Sequence, residues 1–116
     1  MMKELKFLNF IFNSKDWNYT VRLGPTYYDE GKLGDKFLLV PVKPSLDTMA
    51  NGCLIATVRE LVKGHFSCIP QYVYTKEHDP ACRTEEGLIE AMRAAYGQAF
   101  NPEDDPVVSC IAFKLD

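Results

Sequence analysis

The chain has 116 residues, 47% of them hydrophobic and 25% charged, with a formal net charge of −3. These values predict one globular domain over residues 1–116 and exclude a wholly disordered chain. The longest unbroken apolar run, residues 37–42, is far shorter than the ~18–20 residues of a membrane-spanning helix, and a slightly acidic total excludes a uniformly basic nucleic-acid surface. Residues 1–6 begin basic but lead into no sustained apolar leader, so a cytoplasmic domain is expected. The charge is uneven: residues 1–68 carry nine Lys/Arg against seven Asp/Glu, and residues 69–116 carry four against nine. A local basic cleft therefore belongs, if anywhere, to the N-terminal half.

Residues 5–12 are apolar but fit both an alternating and a helical spacing, so strand and helix compete there. Residues 18–23 alternate polar and apolar types and predict a strand, ended by Gly24-Pro25. Gly34-Asp35 is a turn signal that opens an apolar strand over 36–42, and Pro41 and Pro44 place its end at a sheet edge. A loop with Pro44, Ser45, Asp47, Asn51 and Gly52 follows. The β-branched run 53–62 predicts a long strand closed by Gly64, with helix as the alternative.

The clearest element follows Arg83. Thr84 can accept a backbone N–H bond as N-cap, and Glu85 and Glu86 place negative charge at the positive end of the helix dipole. Leu88, Ile89, Ala91, Met92, Ala95 and Tyr96 then form one apolar stripe, and Gly97 is the stop signal. Residues 101–106 read as an acidic loop and 107–113 as a closing strand. Four or five strands and one or two helices predict an α+β domain built on a small barrel-like sheet.

Three groups of side chains carry candidate chemistry. Thr20 and Arg22 lie two apart on a strand and share a face, where a hydroxyl and a planar donor fork can grip a carbonyl or phosphate. Lys15, Asp16 and Trp17 precede that strand. A lysine there can act as a base if burial depresses its pKa, and Trp17, with Tyr27 and Tyr28, offers stacking faces for a nucleobase. Lys76, Glu77, His78 and Asp79 form a polar segment closed by Pro80, with a carboxylate and an imidazole suited to acid–base work. The bland alternatives are a solvated strand face, a tryptophan packed on the core and an ordinary polar loop.

The four cysteines, Cys53, Cys68, Cys82 and Cys110, form no C-x-x-C pair. Cys68, His78 and Cys82 bring ligand types together, but their spacing matches no zinc knuckle, so no metal or other cofactor is expected.

The run Tyr19-Thr20-Val21-Arg22-Leu23-Gly24, followed by Lys32-Leu33-Gly34-Asp35 before a strand, resembles the ASCH-domain family of the PUA-like superfamily. Ile55-Ala56-Thr57-Val58, the helix end Ala95-Tyr96-Gly97 and the closing strand at 108–113 continue the resemblance in order. It implies a small five-stranded β-barrel with one or two flanking helices and a cleft that meets RNA, nucleotides or modified nucleosides. Small bacterial members resembling this chain act as N4-acetylcytidine amidohydrolases through a lysine, a threonine and a glutamate. Thr20 falls on the threonine position and Arg22 on the family arginine. Trp17 occupies the lysine position, with Lys15 the nearest lysine. The glutamate position falls near Ala81, with Glu77 and Asp79 the nearest carboxylates.

Two nucleotide readings follow. In the first, Arg22, Lys15 and Lys36 hold phosphate while Trp17 or Tyr28 stacks on a base, with His78 beside them. In the second, Thr20, Lys15 and Glu77 or Asp79 hydrolyse a nucleoside amide, or His78 serves a ribonuclease. A third reading is a protein-interaction module that uses the acidic helix face of Glu85, Glu86 and Glu90.

Overall fold

The computed structural model describes residues 2–42 and 54–116. Among these residues there are five strands: β1 (Lys3–Phe7), β2 (Asn18–Leu23), β3 (Lys36–Pro41), β4 (Leu54–His65) and β5 (Val107–Leu115). They form one sheet in the order β1-β3-β4-β5-β2, antiparallel throughout except for the parallel β1–β3 pair. Three helices among the described residues, α1 (Thr26–Glu30), α2 (Gln71–Lys76) and α3 (Glu85–Tyr96), complete an α+β fold. The predicted loop at 44–52 and Cys53 lie outside the described residues.

Burial on both faces explains why β5 is apolar at every position from Val107 to Phe113 except Ser109. Val108, Cys110 and Ala112 join Tyr19, Phe66, Val73, Leu88, Met92 and Phe100 in a cluster between the sheet and the helices. Ile111 and Phe113 point the other way, into a second cluster with Leu5, Phe7, Phe37, Leu39, Ala56 and Val58. A bulge in β4 between Val58 and Glu60 keeps this division. The extra residue reverses the alternation, so Leu61 rather than Glu60 follows Ala56 and Val58 toward the second cluster.

The sheet is not closed into a barrel, because β1 and β2 share no ladder among the described residues. Side chains bring these two ends together instead. Arg22 of β2 donates from Nη1 to the Lys6 carbonyl of β1 at 2.8 Å, and its guanidinium lies 4.6 Å from the centre of the Phe7 ring.

Several expectations need revision. Residues 3–7 are strand, and the ambiguous apolar run does not continue it beyond Phe7. Gly64 does not close β4; it pairs with Val108 within the strand, which runs on to His65. Helices α1 and α2 are too short to leave a sequence periodicity. The polar segment around Glu77 is no open loop, since Glu77 and His78 are both buried.

Candidate functional site

A notch lies where the outer edge of β2, the end of β1 and one face of α3 converge. It encloses about 100 Å³ and is lined by Lys6, Phe7, Thr20, Val21, Arg22, Glu77, His78, Asp79 and, from α3, Leu88, Met92 and Tyr96 among others. The strand alternation places Thr20 and Arg22 on one face, and Arg22 Nε donates to Thr20 Oγ1 at 3.2 Å. With Nη1 held by Lys6 and Nε by Thr20, the guanidinium is fixed by two strands.

The Glu77 segment reaches the notch by pairing with β2. Glu77 forms a parallel bridge to Tyr19, and the His78 N–H donates to the Tyr19 carbonyl at 2.9 Å. This one-residue extension of the sheet carries the Glu77 side chain into the interior, where it is 3% exposed. Its Oε1 accepts from the Asp79 N–H at 3.4 Å. Burial pushes the Glu77 carboxyl up to about 8, overriding the opposing pull of that backbone N–H and of Arg22.

His78 matches this state. Its Nδ1 lies 2.9 Å from the Ile11 carbonyl, which can only accept, so Nδ1 carries the proton. Burial holds the imidazole pKa below its ordinary value, and the neutral ring then presents a lone pair on Nε2 toward Glu77 Oε1, 3.3 Å away. Burial thus raises the Glu77 carboxyl and lowers the His78 imidazole, and both shifts favour the neutral forms of the two groups. Phe12 stacks on the imidazole and Phe7 meets its edge, which locks the ring orientation. Below the pair, Cys82 Sγ lies 3.6 Å from Asp79 Oδ2, while Asp79 Oδ1 accepts from the Ala81 N–H.

Thr20, Arg22, Glu77, His78 and Asp79 are therefore brought together, from sequence groups more than fifty residues apart. Trp17 borders a neighbouring hollow that shares Glu77 and His78 with the notch and also includes Lys76 and Arg83. Lys15 is exposed and lines neither space, so it does not reach Thr20. Lys36 is bound elsewhere, to Asp116 and Thr57. Tyr28, exposed on α1, faces Lys63 rather than the notch. The lining sets Lys6 and Arg22 against Asp79 and the buried Glu77 carboxyl, among apolar side chains, so it is not a basic cleft.

Sequence reading missed the contributions of Lys6, Phe7 and Tyr96. Tyr96 was legible only as part of the helix stripe, yet its hydroxyl accepts from the Leu23 N–H at 3.2 Å. Among the described residues, no group of three or more His, Cys, Asp and Glu side chains is placed to hold a metal ion. Cys68 is exposed and Cys82 is buried against Asp79. None of the helices among those residues is long and apolar enough to cross a membrane.

No family model and no curated protein matches the sequence. Solved structures do match the fold. A protein of Enterococcus faecalis V583, described by the family model DUF984, superposes with a TM-score of 0.57 at 15% identity, covering 85% of this chain and 60% of its own. The ASCH domain from Lactobacillus crispatus JV V101 superposes with a TM-score of 0.54 at 15% identity, covering 84% of this chain and 63% of its own. The chain thus spans about three fifths of the length of either structure, and its fold is ASCH-like.

Proposed function

We propose that this ASCH-like domain binds the base of a nucleotide, a modified nucleoside or a single-stranded RNA residue in the notch between β1, β2 and α3. The observation that carries this reading is the buried Glu77 carboxyl set beside Thr20 and the doubly anchored Arg22 in a space of about 100 Å³. A space of that size suits one small planar polar group. Fixed donors and a buried carboxyl read such a group by its hydrogen-bonding edge, while Phe7, Leu88 and Met92 supply apolar walls. The mixed charge of the lining favours recognition of a base over capture of a phosphate backbone.

A second reading, hydrolysis of an amide on such a nucleoside, is favoured by the Glu77 pKa of about 8. A carboxyl that titrates near neutrality can take a proton from an attacking water and return it to the leaving amine, with Arg22 polarising the carbonyl and Thr20 orienting the group. Lys15 has no part in this version, because it lies outside the notch.

The test is calorimetric titration of the protein with nucleosides, their 5′-monophosphates and a short single-stranded RNA, with N4-acetylcytidine incubated in parallel. Binding that weakens at least tenfold in Arg22→Ala is the expected result. Release of acetate and cytidine, lost in Glu77→Gln while binding persists, would establish the hydrolase. Absence of binding to every one of these ligands overturns both readings and leaves the acidic face of α3 as a protein contact.

A further inference from the structure

The phase of the β2–β5 ladder determines what β2 offers the notch. The Gly24 N–H donates to the Val107 carbonyl at 2.8 Å, and the register continues through Arg22↔Ser109, Thr20↔Ile111 and Asn18↔Phe113. In an antiparallel pair, alternate residues turn their N–H and C=O toward the partner strand. Arg22, Thr20 and Asn18 therefore bond β5, and the backbone groups of Tyr19, Val21 and Leu23 face outward. Two of these three are engaged. The Tyr19 carbonyl accepts from the His78 N–H, and the Leu23 N–H donates to Tyr96 Oη.

Val21 lies between them. Neither its N–H nor its C=O has a partner among the described residues, although the residue is 7% exposed and lines the notch. A backbone donor and acceptor in a nearly buried position are costly unless something pairs with them. The gap is also one residue wide. The Glu77–His78 segment closes it on one side and Tyr96 on the other, so an added peptide strand has no room to continue.

We infer that the Val21 N–H and C=O form the reading edge of the site, pairing with a ring that carries a hydrogen-bond acceptor and an N–H donor on adjacent atoms. This is the lactam or amidine edge of a nucleobase, bound through two main-chain hydrogen bonds as a one-residue mimic of a β-strand. The inference rests on the nucleoside reading above and adds how the base is recognised. Because the reading groups belong to the main chain, recognition depends on the ring edge and not on the identity of side chain 21. Arg22 and Glu77 then flank the ring and act on its exocyclic substituent.

The experiment is an amide-resolved NMR titration of the whole chain with uridine, cytidine, adenosine and guanosine. The nucleoside that binds tightest is then compared with its counterpart methylated on the ring nitrogen of the pairing edge, such as 3-methyluridine for uridine. The expected result is a large shift of the Val21 amide on binding and an affinity at least tenfold weaker for the methylated ring, the loss of about one hydrogen bond (a factor of ten is about 1.4 kcal/mol). If a nucleoside binds and moves Thr20, Arg22 and His78 but leaves the Val21 amide in place, or if the methylated ring binds equally well, the inference is overturned while the site stands. If no nucleoside moves any amide, the nucleoside reading itself falls, and this inference with it.

Discussion

At the scale of single residues, Glu77 is the group whose environment most changes its chemistry. Its folded pKa of about 8 lies above the ordinary carboxylate value, so the folded protein holds a proton that the unfolded chain releases. That contribution to stability is fully present below the unfolded pKa and is lost as pH rises toward 8. His78 acts in the opposite sense: its lowered pKa makes stability fall as pH drops below its ordinary value of 6.5. Between about pH 6.5 and 8 only Glu77 acts, so the melting temperature should fall across that window in the native chain and stay nearly flat in Glu77→Gln. Thermal denaturation at four or five pH values decides it, and equal slopes in the two proteins would contradict the assignment. Arg22→Lys keeps the charge but loses the fork that holds both Lys6 and Thr20. A cost of about 1–2 kcal/mol, read by urea denaturation, is expected. The Thr20/Arg22 pair was legible from alternation alone. Glu77 was visible as a carboxylate, but its burial was not, because the residues around it (Lys76, His78 and Asp79) have the composition of a solvated loop. What buries it is pairing with Tyr19, a contact across 58 residues that no local pattern encodes.

Among the elements, α3 is the one the sequence describes most fully. Thr84 Oγ1 accepts from the Gly87 N–H at 3.1 Å, the helix runs Glu85–Tyr96, and Gly97 leaves it at φ 58°, a conformation that favours glycine. Gly87 itself is a different matter. Glycine inside a helix ordinarily costs about 0.5–1 kcal/mol relative to alanine. Here a Cβ would sit 1.7 Å from the Ala81 carbonyl oxygen, because the turn Pro80–Cys82 packs directly on the first helical turn. Gly87→Ala should therefore destabilise the protein by about 1–3 kcal/mol instead of stabilising it. A midpoint of chemical denaturation that rises would show that the turn yields easily. The strands were legible in position but not in extent. The β4 bulge hid the change of face from any period-two reading, and extended pairing at Gly64 carried the strand past a residue that locally signals a stop.

For the molecule as a whole, the sheet order explains where stability concentrates. β5 has a ladder partner on each side, whereas β1 and β2 each have one, and their meeting is secured by the Arg22 side chain instead of a ladder. Native-state hydrogen exchange should find its slowest amides in β5 and in the facing residues of β4. The Val21 amide should exchange far faster than those of Thr20 and Arg22 on the same strand. Equal protection along β2 would mean that its outer edge is covered. The α+β class and a sheet of four or five strands were readable in advance, since turn signals flank most of the strands, whereas β1 lies in an apolar run that fits strand and helix alike. The open seam was not, because it depends on two edges that meet only after the sheet has curled.

Placing β5 between β4 and β2 also imposes an order of events during synthesis. Gly24 and Ser109 are joined by a hydrogen bond across 85 residues, and among the described residues β2 pairs along its length with no strand but β5. At about 5–20 residues per second, β2 leaves the ribosome roughly 4–17 s before β5 can follow it. Through that interval Thr20, Arg22 and the outer edge of β2 belong to an unpaired segment. The notch that Thr20 and Arg22 line therefore cannot take shape until residues 107–115 have been made, and it is among the last features of the fold to be completed.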